Sequence, residues 1–167
     1  LDEASLNRIG QWPWSRGLLA RLTDEIGKAG AAVIAFDMVF PEPDRLSPPR
    51  LAESLPSLTP EMAARLKGEA DTDQLFAGAI ARNRVVLGRS GLPKAVAAGF
   101  EPPAPLAVIG GDISALLPTY PGVLRNLPEL EQAAAGIGLF SVVSEADGII
   151  RREIGRASCR ERVYACV

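Results

Sequence analysis

The stretch Gly30-Ala31-Ala32-Val33-Ile34-Ala35-Phe36-Asp37-Met38-Val39-Phe40 decides the fold. From Ala31 to Phe40 every position but Asp37 is apolar, which is how a strand covered on both faces reads. Working upstream, Ser15 can cap a helix running to about Ala29, with Leu18, Leu19, Leu22 and Ile26 in one stripe at helical spacing. Arg21 with Glu25, and Asp24 with Lys28, are i,i+4 pairs on its wet side. Gly30 sits where a left-handed helix end is wanted. Helix, glycine and buried strand form the second half of a βαβ unit. The expected fold is therefore α/β: a mostly parallel sheet flanked by helices. Asp2 caps a short helix through Ala4 and Leu6, and the strand that would lead into it is expected to be missing.

Downstream the pattern changes. Pro41, Pro43, Pro48, Pro49, Pro56 and Pro60 fall between residues 41 and 60, so this segment reads as a long surface loop without regular structure. Thr59-Pro60-Glu61 restarts a helix that fades near Gly68, with proline at its first position. Asp71 or Thr72 caps another, with Leu75, Phe76, Ala79 and Ile80 on one face, ending at Asn83. Arg84-Val85-Val86-Leu87-Gly88 is the next buried strand, and Leu106 to Ile109 a short one. Asn126 caps Leu127–Ala135, Gly136 ends that helix, and Ile137 to Val143 is a strand. Ala146-Asp147-Gly148 is a turn, returning Ile149–Arg152 as a C-terminal β-hairpin. The expected core is Val33, Ile34, Phe36, Val85, Val86 and Leu87, packed by Leu18, Leu22, Ile26, Phe76 and Ile80.

Composition excludes more than it identifies. The chain has 167 residues, 18 basic and 20 acidic side chains, no His and a net charge of −2. A nucleic-acid footprint would need a strongly basic face. Without His the commonest general base and metal ligand is gone, and Ser5, Ser15, Ser47 and Ser141 have no imidazole to activate them. Gly110-Gly111-Asp112 lacks the Lys-Ser/Thr of a phosphate loop and reads as a turn. No apolar run reaches the roughly 18 residues a spanning helix needs. No cofactor is expected.

Two clusters stand out as candidate ligand sites. Trp12-Pro13-Trp14-Ser15-Arg16 places two indoles around a proline just before a helix. This is either an aromatic ledge with Arg16 as an anion contact, or a lid packed onto the core. Asp37, Glu42 and Asp44 lie at the carboxyl end of the buried strand, the edge where open α/β sheets bind ligands and where hard cations find oxygen donors. Asp2 is expected beside Asp37. The alternative is that Asp37 satisfies backbone N–H groups, while Glu42 and Asp44 are solvated loop charges. Asp147-Gly148 before Arg151-Arg152 reads as a charged hairpin turn.

The C-terminal string Glu153-Ile154-Gly155-Arg156-Ala157-Ser158-Cys159-Arg160-Glu161-Arg162-Val163 resembles a translated short-read sequencing adapter. Residues 153–167 are therefore expected to be a non-native tail outside the fold, the alternative being a genuine basic C-terminal strand or helix. Both cysteines, Cys159 and Cys166, lie there, so residues 1–152 carry neither a disulfide nor a zinc pattern.

Asp2-Glu3-Ala4-Ser5-Leu6, Gly10-Gln11-Trp12-Pro13-Trp14-Ser15-Arg16 and Phe36-Asp37-Met38-Val39-Phe40-Pro41-Glu42-Pro43-Asp44 together resemble the type-two CHASE domain. Val85-Val86-Leu87-Gly88 and Asp147-Gly148-Ile149-Ile150-Arg151-Arg152 extend the likeness in order to residue 152. The resemblance implies a sensory domain over residues 1–152, periplasmic or extracellular, in a bacterial inner-membrane receptor. It implies membrane helices flanking this chain and a cytoplasmic output such as an adenylate or guanylate cyclase or a kinase. It brings no catalytic residues and no ligand identity. The expected partners are an unidentified small-molecule or protein ligand and a second copy in a homodimer, with no nucleic acid. Two rival readings are a small metal-dependent α/β enzyme using Asp2, Asp37 and Asp44, and a structural dimerisation module.

Overall fold

The computed structural model describes residues 3–95 and 120–141, and the backbone of 155–159 and 163–166. The chain forms two compact units, one from Leu1–Ile34 and Pro43–Asn83, the other from Ala35–Glu42 and Arg84–Val167.

The first unit is helical: α1 (Glu3–Ile9), α2 (Arg16–Lys28), α3 (Pro48–Ser54), α4 (Pro60–Lys67) and α5 (Thr72–Arg82). Ser15 caps α2, accepting from the Leu18 N–H at 3.3 Å, and Gly30 leaves the helix at φ +92°. Thr59 caps α4 through the Met62 N–H, with Pro60 at its first position. The α3 helix corrects the reading of residues 41–60 as irregular. Pro48 and Pro49 occupy its first turn, where a missing N–H costs nothing and a fixed φ helps.

Helices α2 and α5 pack against each other. The buried face of α2 is Leu19, Ala20 and Thr23, while Leu22 is 39 % exposed, one step round from the expected stripe. Gly27 lies on the shifted line and meets Asn83 at the end of α5. A methyl group there would collide with the Asn83 side-chain amide, so the helices meet along the line of residues 20, 23 and 27. Thr23 turns its hydroxyl back to the Leu19 carbonyl at 2.8 Å, which lets a polar side chain sit fully buried on that line. From α5, Phe76, Ala77, Ala79 and Ile80 are buried, whereas Leu75 is exposed.

The second unit holds the sheet. Strand order is β1 (Ile34–Phe36), β2 (Val85–Leu92), β4 (Gly136–Leu139), β5 (Gly155–Cys159) and β6 (Val163–Cys166), with β3 (Gly122–Leu124) beside β2. Strands β2 and β4 are parallel, with Val86 opposite Gly136 and Gly88 opposite Gly138. The β2–β3, β4–β5 and β5–β6 ladders are antiparallel. The α/β class and its parallel pairing are as expected from the sequence. Val85, Leu87, Leu130 and Ala134 are buried, Leu130 from the short helix α6 (Pro128–Ala133).

Several boundaries differ. The apolar run gives only the three residues of β1, and Val33 is 48 % exposed. Beyond it, Phe40 is held outside any ladder: its N–H donates to Asn126 Oδ1 at 2.8 Å and its carbonyl accepts from Leu127 N–H at 2.9 Å. Asn126 therefore does not cap α6; its Nδ2 donates to the Gly88 carbonyl, and Leu127 takes the cap position with no side-chain bond. Residues 155–159 and 163–166, expected outside the fold, pair into the sheet as β5 and β6. The 106–109 strand and the 146–152 turn and hairpin arm lie outside the described residues.

Candidate functional site

In the first unit the carboxylate of Asp44 is buried and fully engaged. Its Oδ2 accepts the Arg16 N–H and the Thr72 hydroxyl, each at 2.7 Å, and its Oδ1 accepts the Leu46 N–H at 2.9 Å. Arg16 and Thr72 are the first residues of α2 and α5, so one loop carboxylate joins the starts of both helices, taking an unpaired backbone donor of α2 and a side-chain hydroxyl of α5. Around it, Asp73 accepts the Asp44 N–H at 2.9 Å and faces Arg16 Nε at 3.6 Å. Ser47 donates to Asp71 and accepts from the Thr72 N–H. Burial pushes the Asp73 carboxyl up, against the Asp44 N–H and the Arg16 charge, which favour ionisation. Burial likewise draws the Arg16 guanidinium down, against the Asp73 and Asp44 charges. Asp44 is thus an internal acceptor, not the solvated loop charge considered from sequence.

Next to this network, the Trp12 and Trp14 rings lie 6.0 Å apart across a cis Trp12–Pro13 bond. Trp14 is buried and donates from Nε1 to the Gly10 carbonyl at 2.9 Å, while Trp12 is 40 % exposed. The pair thus divides the two roles open to it: Trp14 packs, and Trp12 remains a surface aromatic.

In the second unit β1 ends at Phe36, and Asp37 is the first residue beyond its carboxyl end. Asp37 is exposed, and among the described residues no group donates to its carboxylate. Among the described residues, then, it satisfies no backbone N–H group. An acid inside the apolar run needs no internal partner, because the strand stops one residue before it. Asp37 edges an open cavity of about 170 Å3, walled by Phe36, Val86 and Phe140 and running over Gly88 and Gly138. Phe140 lies across Gly88, where a methyl group would collide with its ring. A methyl at Gly138 would meet, among the described residues, only Val86 Cγ1, at 3.9 Å. Glu42 is exposed in the same unit.

A third constellation has little signal in the sequence. Glu131 accepts Arg89 Nε and Nη2 at 2.8 and 2.6 Å, Arg125 Nη2 at 3.0 Å and the Asn126 N–H at 3.1 Å. Burial opposes ionisation of Glu131, but the hydrogen bonds from Arg89 and Arg125 outweigh it and hold the carboxyl below its usual value. The spacing of Arg125 and Glu131 across a Pro-led helical turn carries a trace of this pairing; Arg89, 42 residues away, carries none.

The sequence-predicted residues thus divide. Trp12, Trp14, Arg16 and Asp44 belong to the first unit, Asp37 and Glu42 to the second, and Asp2 lies outside the described residues. Among the described residues no three Cys, Asp or Glu side chains are grouped to hold a metal ion. No described helix is long and apolar enough to cross a membrane. The family model described as CHASE2 domain matches residues 1–164. No curated protein and no solved structure matches the chain.

Proposed function

The chain belongs to the CHASE2 domain family, and from that premise we propose that it is the extracytoplasmic sensory domain of a bacterial inner-membrane receptor. CHASE2 domains are sensory modules of signalling receptors and not catalysts. In this reading the parent chain continues through membrane helices to a cyclase or kinase, and ligand capture here sets its output. The family match carries the reading. Asp37 supports it locally: an exposed carboxylate at a strand's carboxyl end, beside a cavity, is where such sheets take ligands. A ligand there acts by binding one state of the domain more tightly than the other.

Two measurements on the full-length receptor test this. Alkaline phosphatase fused behind the domain should be active, since it folds only outside the cytoplasm; an inactive fusion overturns the placement. Asp37→Asn should silence the receptor's response while leaving its abundance unchanged. A normal response moves the sensory site away from Asp37.

A further inference from the structure

We propose that the Asp37 cavity binds a small organic cation: an ammonium group carried on a compact apolar body. This deepens the sensory reading and rests on it. The walls are Phe36, Val86 and Phe140, and among the described residues Asp37, at the rim, is the one charged residue beside them. Its carboxylate takes no donor among the described residues, so its hydrogen-bonding capacity faces outward. The nearest basic residue in the strand is Arg89. Strand alternation puts it on the face opposite Gly88, and Glu131 holds it there. Negative charge at the rim is therefore not cancelled from within the strand. Aromatic walls beside a carboxylate favour cations over neutral molecules of the same shape, because ring faces attract positive charge. A volume of about 170 Å3 limits the guest to a few heavy atoms. An anion is disfavoured by Asp37, and a sugar by walls that offer few polar partners.

Choline and its uncharged isostere 3,3-dimethylbutan-1-ol separate charge from shape. Each is titrated into the full 167-residue chain and followed by amide chemical shifts. Choline should shift Asp37, Gly88 and Gly138 and saturate with a Kd on the order of 1 mM. The alcohol should bind at least about tenfold more weakly. Asp37→Asn, which breaks no internal hydrogen bond, should lose about tenfold in choline affinity with the remaining spectrum superimposable. Gly138→Ala, whose methyl would meet among the described residues only Val86 Cγ1 of the cavity wall, should weaken the shifts. Equal binding of the alcohol, undiminished binding by Asp37→Asn, or no shift with choline would each overturn the proposal. The last result, combined with a receptor still silenced by Asp37→Asn, removes the ligand class alone. Choline binding with unaltered receptor output supports the ligand class and overturns the sensory reading.

Discussion

Glu131 shows how much one buried carboxylate can govern. Two guanidiniums and a backbone N–H converge on it, and they lower its pKa against the opposing effect of burial. An acid whose folded pKa is depressed adds stability that is present above its unfolded value, near 4.5, and is lost as pH falls through the folded one. Melting temperature should therefore drop on acidification below about pH 4.5, and Glu131→Gln should flatten that limb while lowering stability at neutral pH. An unchanged acid limb in the variant would show that other groups set it. Asp73 has the opposite sign, since its raised pKa makes stability fall as pH rises through it. Apolar residues are sorted by the same local detail. Leu19→Ala should cost about 2–5 kcal/mol in chemical denaturation, because the side chain is 2 % exposed. Leu22→Ala should stay within about 0.5 kcal/mol.

Among the elements, α2 and α5 were legible and their contact was not. Ser15, Thr59 and Asp71 announce helix starts because capping chemistry is local, and all three caps form. Which face of α2 is buried depends on Gly27 meeting Asn83, a contact 56 positions apart that periodicity cannot carry. Gly27→Ala should therefore destabilise by about 1–3 kcal/mol. Adding Asn83→Ala should recover part of the loss in a double-mutant cycle; a purely additive pair would mean that the contact is not what excludes the methyl. The strand after Gly30 is shorter than its apolar run because of distant partners too. Asn126, far along the chain, takes the Phe40 N–H that a longer ladder would have used. At the candidate site the sequence singled out Asp37 and Asp44, but only folding distinguishes them. Pairing across 28 positions turns Asp44 inward, while the end of β1 leaves Asp37 outward.

At the scale of the whole molecule, the sheet does not stop at β4. Residues 155–159 pair with it and 163–166 with them. Backbone pairing tolerates many sequences, so an open β4 edge can recruit a strand whatever its origin. Truncation after residue 152 should uncover that edge, and the expected outcome is a lower melting temperature and concentration-dependent association in light scattering. Unaltered behaviour would show that β4 is competent as a terminal strand.

The loop carboxylate of Asp44 also has a consequence on the timescale of solvent exchange. The first amides of a helix lack intrahelical acceptors and ordinarily trade their protons with water early. Here the Arg16 N–H is held by Asp44, the Thr72 N–H by Ser47 and the Asp73 N–H by Asp71. In deuterium these amides should persist long after the exposed last turn of α4 has exchanged. Asp44→Ala should release the Arg16 and Leu46 amides while those of Thr72 and Asp73 stay held, so that α2 frays from its beginning.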